Sequence, residues 1–363
     1  MRVALVDPLS YTPPYDHGLA SGLARRGHEV TLLAAPFLHG EAPRVEGYER
    51  EDIFMPLSSR ALRRSPRSPL RRPLRALEYG PSFGILLNRL KALEPDVVHV
   101  QWLPRPELDR RWARRLRQPA VLTAHDVVPR RDRALAVWPE VLGLFDRVVV
   151  HSQAAVERLR KLGVDGAVRI PHPVFEAPRP VAPPSGQTLL FFGLIRDYKG
   201  LDVLVRAMAE MPAARLVVAG DPVDPAEPAR ALARELGVDG RIEWQLRFVP
   251  DGEVPELMAR AAAVVLPYRE LDSSGVLATA IGYRRPVVVT DVGSLGEQVR
   301  EFGAGEVVPP GDPTALAEAC NRLLQSPGAL SRAAAGAEKA AAALTWDASA
   351  ERHERLYEEL CGR

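Results

Sequence analysis

Cysteine is nearly absent: only Cys320 and Cys361 occur in 363 residues. Two thiols so far apart offer neither a disulfide framework nor metal-ligand spacing, and a reducing compartment fits them. Apolar runs are short, and none approaches the ~20 residues that a membrane-spanning helix requires. The opening MRVALV enters directly as a strand and lacks the apolar region of a secretory leader. Together these absences point to the cytoplasm. No G-x-G-x-x-G follows that first strand, which argues against a nicotinamide or flavin site. No pair of carboxylates stands out as a metal site; DPVDP at 221–225 is acidic but reads as a proline-bounded loop after a strand. Lysine occurs four times, at 91, 161, 199 and 339, so arginine supplies nearly all the positive charge.

What is present is a regular alternation of short apolar strands and amphipathic helices, the pattern of α/β sheets. Strands are expected at Arg2–Val6, Glu29–Ala34, Asp96–Gln101, Ala120–Ala124 and Arg147–His151. After six prolines in the fourteen residues from Pro171 to Pro184, which read as a stiff linker, further strands are expected at Thr188–Phe192, Arg215–Ala219, Arg241–Gln245, Ala263–Leu266, Pro286–Val289 and Glu306–Val308. The length suits two such domains. The charge is divided unevenly between them. Residues 1–170 hold 28 Lys and Arg against 19 Asp and Glu, whereas residues 171–363 hold 20 against 27. The first half is therefore the one expected to face an anionic partner.

Seven arginines, at 60, 63, 64, 67, 71, 72 and 75, crowd into residues 57–75 among leucines and prolines. Two readings compete: a solvated loop, or a surface for anionic lipid headgroups or a phosphorylated acceptor. Nucleic acid is excluded as a partner because no aromatic residue interleaves with the arginines.

The chemistry concentrates in two stretches. In PYRELDSSGVLATAIGYRRPVVVTDVGSLGE, from Pro267 to Glu297, a small-residue loop lies between a strand and a helix that Ser273 or Ser274 can cap. In FFGLIRDYKG, from Phe191 to Gly200, another strand-to-helix loop carries Arg196 and Lys199. Helix starts that offer free N–H groups at the C-terminal ends of strands suit an anion. With two added cations, the simplest ligand is a diphosphate.

These stretches, with TAHD at 123–126 and DRVVVHSQAAVERL at 146–159, resemble the retaining GT-B glycosyltransferases of family 4 across nearly the whole chain. The resemblance implies two Rossmann-like, doubly wound domains facing a cleft: an acceptor-side domain at 1–170, a donor domain at 171–345, and a final helix at 346–363 returning to the first. It implies substitution at a sugar's anomeric carbon with retention, on a nucleotide-diphosphate sugar, without a metal or other cofactor. The acceptor would be a saccharide or a lipid-linked hydroxyl, in exopolysaccharide or glycolipid assembly. Peripheral attachment to the inner face of the membrane through residues 57–75 would accompany the latter.

Under this resemblance Arg196 and Lys199 stabilise the leaving diphosphate, and His125 reaches the donor sugar. Asp272 holds one of that sugar's hydroxyls. Gly193, Ser273, Ser274, Gly275 and Val276 line the phosphates, and Glu297 helps to position the donor. Asp16 and His17, on the family's acceptor loop, serve equally well as a helix cap and a solvated imidazole. His99 and Ser152 stand at equivalent strand ends. Two departures matter. Leu194 occupies a position commonly held by arginine, and the family's Glu-x7-Glu pattern falls on Asp272 and Ala280, so the second carboxylate, which usually holds the ribose, is missing. Two other activities therefore compete with transfer: a nucleotide-sugar 2-epimerase, and a GT-B protein that binds nucleotide without transferring.

Overall fold

In the computed structural model, which describes residues 1–38, 42–62, 68, 70–128, 135–179, 181–326 and 328–362, the apolar runs form two all-parallel sheets. The first contains β1 (Arg2–Asp7), β2 (Glu29–Ala34), β3 (Glu49–Asp52), β4 (Val97–Val100), β5 (Ala120–Thr123), β6 (Arg147–Val150) and β7 (Ala167–Arg169). Its spatial order is β3-β2-β1-β4-β5-β6-β7. The second contains β8 (Thr188–Phe192), β9 (Arg215–Ala219), β10 (Ile242–Gln245), β11 (Ala263–Leu266), β12 (Val287–Thr290) and β13 (Gly305–Val308), in the order β10-β9-β8-β11-β12-β13. Helices cover both faces, which is why central strands such as VVHV, AVLT and VVVT are buried along their whole length.

The chain divides into two units, Met1–Pro171 with Trp346–Arg363, and His172–Thr345. The proline-rich segment expected to be a linker lies instead on the second unit. The Val174 N–H donates to the Leu344 carbonyl at 2.8 Å, and the buried Arg285 guanidinium donates to the carbonyls of Ala261, Tyr283 and Ala182. The last helix, Trp346–Cys361, packs in the first unit. There Asp347 pairs with Arg25 at 2.7 Å, Glu354 with His28 at 2.9 Å, and the Tyr357 hydroxyl meets His99 Nδ1 at 2.5 Å.

The topology selects where ligands can bind. In an open parallel sheet the crevice lies at the C-terminal strand ends where the strand order reverses. In the first sheet that point lies between β1 and β4, and in the second between β8 and β11. The two stretches singled out in the sequence are the loops after β8 and β11, so both flank the switch point of the second sheet.

Two edge strands were not expected. β3, with the sequence ERED, and the three-residue β7 carry no apolar run. Part of the arginine-rich segment is helical, in Pro56–Leu62 and at the start of Arg71–Leu93. Residues 63–67 and 69, with three of the seven arginines, lie outside the described residues. Arg75 turns inward, its Nε 3.4 Å from the Met55 sulfur.

Candidate active site

After β8 the chain turns at Gly193, whose N–H donates to the Ala219 carbonyl at 3.0 Å. Arg196 is extended, Asp197–Lys199 form one 3₁₀ turn, and Gly200 at φ 67° opens the helix Leu201–Ala207. A Cβ placed on Gly200 would lie 2.1 Å from the Pro267 carbonyl oxygen, so only glycine lets the β8 and β11 loops approach this closely. Arg269 fastens the same pair of loops. Its N–H donates to the Tyr198 carbonyl at 2.7 Å, and its guanidinium reaches the Asp197 carbonyl at 2.8 Å and the Asp202 carboxylate at 2.6 Å.

Lys199 is thereby driven inward and is only 6 % exposed. Its Nζ lies 5.4 Å from the centre of the Tyr268 ring and 3.3 Å from where a Cβ on Gly193 would stand. Burial, with Arg196 beside it, pulls the ammonium down to about 8. No acceptor or carboxylate among the described residues pairs with Lys199 or with the Arg196 side chain. Val276 closes the other side of Gly193, its Cγ2 3.0 Å from that same Cβ position.

The helix Gly275–Gly282 begins at Ser274, whose Oγ accepts from the Leu277 N–H at 3.3 Å. The preceding two amides, of Gly275 and Val276, have no acceptor among the described residues. Lys199 Nζ and Val276, in the first turn of that helix, thus both border Gly193, and Arg196 is close enough to act on the ammonium. Asp272 and Ser273 are half-buried on the same loop. The Asp272 carbonyl accepts from the Ser294 N–H at 2.9 Å, which brings in the helix Leu295–Phe302 with Glu297 in its first turn. Ala280 is fully buried in the cluster that holds Leu266, Leu277 and Ile281 and brings no polar atom with which to hold a ribose. The neighbouring Thr279 has the exposed hydroxyl, which donates back to the Gly275 carbonyl at 2.8 Å.

In the first unit, Asp7 at the end of β1 accepts from the N–H groups of Leu9 at 3.0 Å and Tyr11 at 2.7 Å. Asp16 is buried, only 1 % exposed, and does not cap its helix, whose N-cap is Thr12. Burial, and then the neighbouring Asp7 carboxylate, hold Asp16 well above the usual carboxylate range, which favours its neutral form beside Asp7. His17 remains half-exposed, its Nδ1 3.2 Å from the Tyr48 hydroxyl, and burial lowers its pKa. His125 lies under the Trp102 indole, with ring centres 4.7 Å apart and planes 17° apart, and the Tyr15 edge meets it at 4.7 Å. Of the two further strand-end candidates, His99 is fully buried between Tyr357 and Thr123, and Ser152 caps the helix Gln153–Lys161. Both serve the fold.

Sequence reasoning passed over Tyr268 and Arg269. Both stand in the PYRE run it quoted, but nothing local in that run marks a ring under an ammonium or a clamp between loops. Trp102, two residues beyond β4, was likewise passed over. Among the described residues no group of three or more metal-ligating side chains occurs.

Two doubly wound parallel sheets, the second with cation- and glycine-bearing loops at its switch point, define a class, the GT-B proteins. Residues 17–175 match the family described as glycosyltransferase family 4, and residues 186–326 match the one described as glycosyl transferases group 1. A D-inositol 3-phosphate glycosyltransferase of Frankia alni is 30% identical over 70% of this chain and 72% of its own length. The phosphatidyl-myo-inositol mannosyltransferase of Mycobacterium leprae is 25% identical over 99% and 97%. Other curated relatives are longer: the match spans 65% of the Acidothermus cellulolyticus D-inositol 3-phosphate glycosyltransferase, at 30% identity over 70% of this chain. Among solved structures, the sucrose-phosphate synthase of Thermosynechococcus elongatus superposes with TM-score 0.80 at 21% identity, covering 100% of this chain and 99% of that one. Anabaena HepE, solved in complex with UDP and glucose, gives 0.73 at 17%, covering 99% and 100%. The chain belongs to the group 1, family 4 glycosyltransferases.

Proposed function

We propose that the protein transfers a hexose from a nucleoside-diphosphate sugar to an acceptor hydroxyl, with retention and without a metal. The observation that carries this reading is Lys199, a buried ammonium with no anionic partner among the described residues. Burying an unpaired charge is costly, and a diphosphate supplies the missing counter-charge. As the glycosidic bond breaks, charge develops on the leaving phosphate, where Lys199, Arg196 and the Gly275 and Val276 amides stabilise it. Positive charge fixed at this position does the work that a metal ion does elsewhere. Asp272 and Glu297 orient the donor sugar, and His125 accepts or donates at one of its hydroxyls.

The relatives named for D-inositol 3-phosphate and phosphatidyl-myo-inositol support an acceptor with a polyhydroxylated ring, free or lipid-linked, in glycolipid or exopolysaccharide assembly. The helix Arg71–Leu93 supports the lipid-linked form. Leu74, Leu77, Pro81 and Ile85, with Leu70 just before it, are all exposed. At 100° per residue they fall in one stripe about 80° wide, next to the arginine-rich segment, as in helices that lie on anionic membranes. No helix among the described residues is long and apolar enough to cross a membrane.

Leu194, exposed where the family commonly has arginine, makes single-turnover transfer the appropriate test. Labelled UDP-glucose and GDP-mannose are incubated with enzyme in excess and D-inositol 3-phosphate or a phosphatidylinositol vesicle. Release of UDP or GDP with a labelled α-linked product supports the reading. Tight nucleotide binding without product leaves a binding protein, and isomerisation of the sugar without acceptor an epimerase.

A further inference from the structure

Four neighbouring strand ends of the first sheet carry a continuous polar row. Trp102 lies two residues past β4, His125 two past β5, His151 one past β6 and Ile170 one past β7. His151 Nδ1 is 2.9 Å from the Ile170 carbonyl oxygen, and His151 Nε2 is 3.4 Å from His125 Nδ1.

The protons in this row can be placed in order. A carbonyl oxygen only accepts, so His151 carries its proton on Nδ1. Burial pulls the His151 pKa down to about 4, so at neutral pH its Nε2 bears no proton and accepts. The partner must then donate, which puts the His125 proton on Nδ1. In neutral His125, whose single N–H is then on Nδ1, Nε2 is left as a lone-pair acceptor. The ring cannot readily turn over to escape this assignment, because Trp102 stacks on its face and Tyr15 meets it edge-on.

We propose that His151 is a positioning residue that holds His125 in the Nδ1–H tautomer, so that His125 Nε2 accepts a hydrogen bond from a substrate hydroxyl. The direction of that bond rests on the reading of His125 as substrate-facing; the tautomer itself does not. Such control of one imidazole by what its other nitrogen meets is general, and a wrong tautomer disables a site whose geometry is otherwise intact.

The test is long-range 1H–15N correlation NMR on the full chain labelled with 15N-histidine, at about pH 7.5, above the ordinary imidazole pKa of ~6.5. His125→Gln and His151→Gln assign the two signals. Both residues are expected as Nδ1–H in the parent. In His151→Phe, which keeps a ring but neither nitrogen, His125 gains a population of Nε2–H. In His151→Gln, whose amide donates to Ile170 and accepts from His125, it remains Nδ1–H. An Nε2–H signal from His125 in the parent overturns the proposal, as does an unchanged tautomer in a folded His151→Phe. If that variant does not fold, the parent spectrum and His151→Gln still decide.

The functional half is read from UDP or GDP release with UDP-glucose and GDP-mannose as donors. His151→Phe is expected to lose about tenfold or more in kcat with donor KM little changed, and His151→Gln to recover most of it. Parent-like turnover in a variant whose tautomer has switched overturns the positioning role. No release by the parent from either donor, with the tautomers as expected, counts against the transferase reading alone.

Discussion

Tyr268 lies beneath the Lys199 ammonium, ring centre to Nζ 5.4 Å, and both side chains are buried. The ring face is the only favourable partner that Lys199 has among the described residues, and it compensates poorly for lost hydration. Lys199 is therefore held in a state that an incoming anion relieves. Lys199→Ala and Arg196→Ala are each expected to cut turnover by about 100-fold or more, since a single such donor contributes roughly 3–4 kcal/mol to the barrier. Circular dichroism should show the fold retained, and unchanged turnover in both variants would remove the diphosphate assignment.

The same relationship predicts an opposite effect on stability. The folded-state pKa of Lys199 is depressed to about 8 from 10.5, so between these values the unfolded chain binds more protons and stability rises with pH. Below about 8 the buried charge is a full cost. Lys199→Met should therefore be more stable than the parent in urea at neutral pH without nucleotide, and the advantage should shrink as pH rises from about 8 towards 10. Nucleotide affinity of the parent should fall over the same range, because the ammonium that meets the phosphates is lost. A parent that outlasts Lys199→Met at neutral pH would contradict this.

Arg269 links the β8 and β11 loops through three hydrogen bonds. Arg269→Ala should leave the cores intact and loosen the loops, raising donor KM several-fold more than it lowers kcat. Steady-state kinetics with the donor varied provides the check, and an effect confined to kcat would place Arg269 elsewhere in the reaction.

Much of this arrangement could be read from the sequence. Central strands are buried on both faces, so Thr188–Phe192, Arg215–Ala219 and Ala263–Leu266 announce themselves as apolar runs, and their helices follow by spacing. Edge strands need no such run, which hid β3 and β7. The loops that hold Lys199 and Ser274 were marked by glycine, small residues and cations. Which of their neighbours turn inward depends on strand order, since only the β8–β11 reversal sets Tyr268 beneath Lys199. Asp16 shows the same limit: a carboxylate in a loop-to-helix start looks like a surface cap until Asp7 is found beside it. Ala280 does too, because a one-residue shift along a helix exchanges the core face for the half-buried Thr279.

Turnover should persist in excess chelator. On the proposed reading Lys199 and Arg196 supply the charge that faces the phosphates, and no metal-ligating group of three or more occurs among the described residues. Activity that disappears with EDTA and returns with magnesium or manganese would point to a different way of stabilising the leaving group.

Leu74, Leu77 and Ile85 together changed to Ser should weaken sedimentation with anionic vesicles while leaving binding of soluble nucleotide unchanged. The change removes the exposed apolar stripe without touching the core. Parent binding should also weaken with salt, as the Debye length falls from ~10 Å at 0.1 M to ~3 Å at 1 M. No sedimentation of the parent would favour a soluble acceptor.

The central claim is that a nucleoside diphosphate completes the Lys199 site, and the most direct measurement is a thermal-shift titration of UDP, GDP and ADP against the parent and Lys199→Met. At about 100 times its dissociation constant the correct nucleotide adds about 2.7 kcal/mol, so one of the three should raise the parent's midpoint by several degrees and leave that of Lys199→Met nearly unmoved. Equal shifts in both proteins, or none from any nucleotide in the parent, would contradict it.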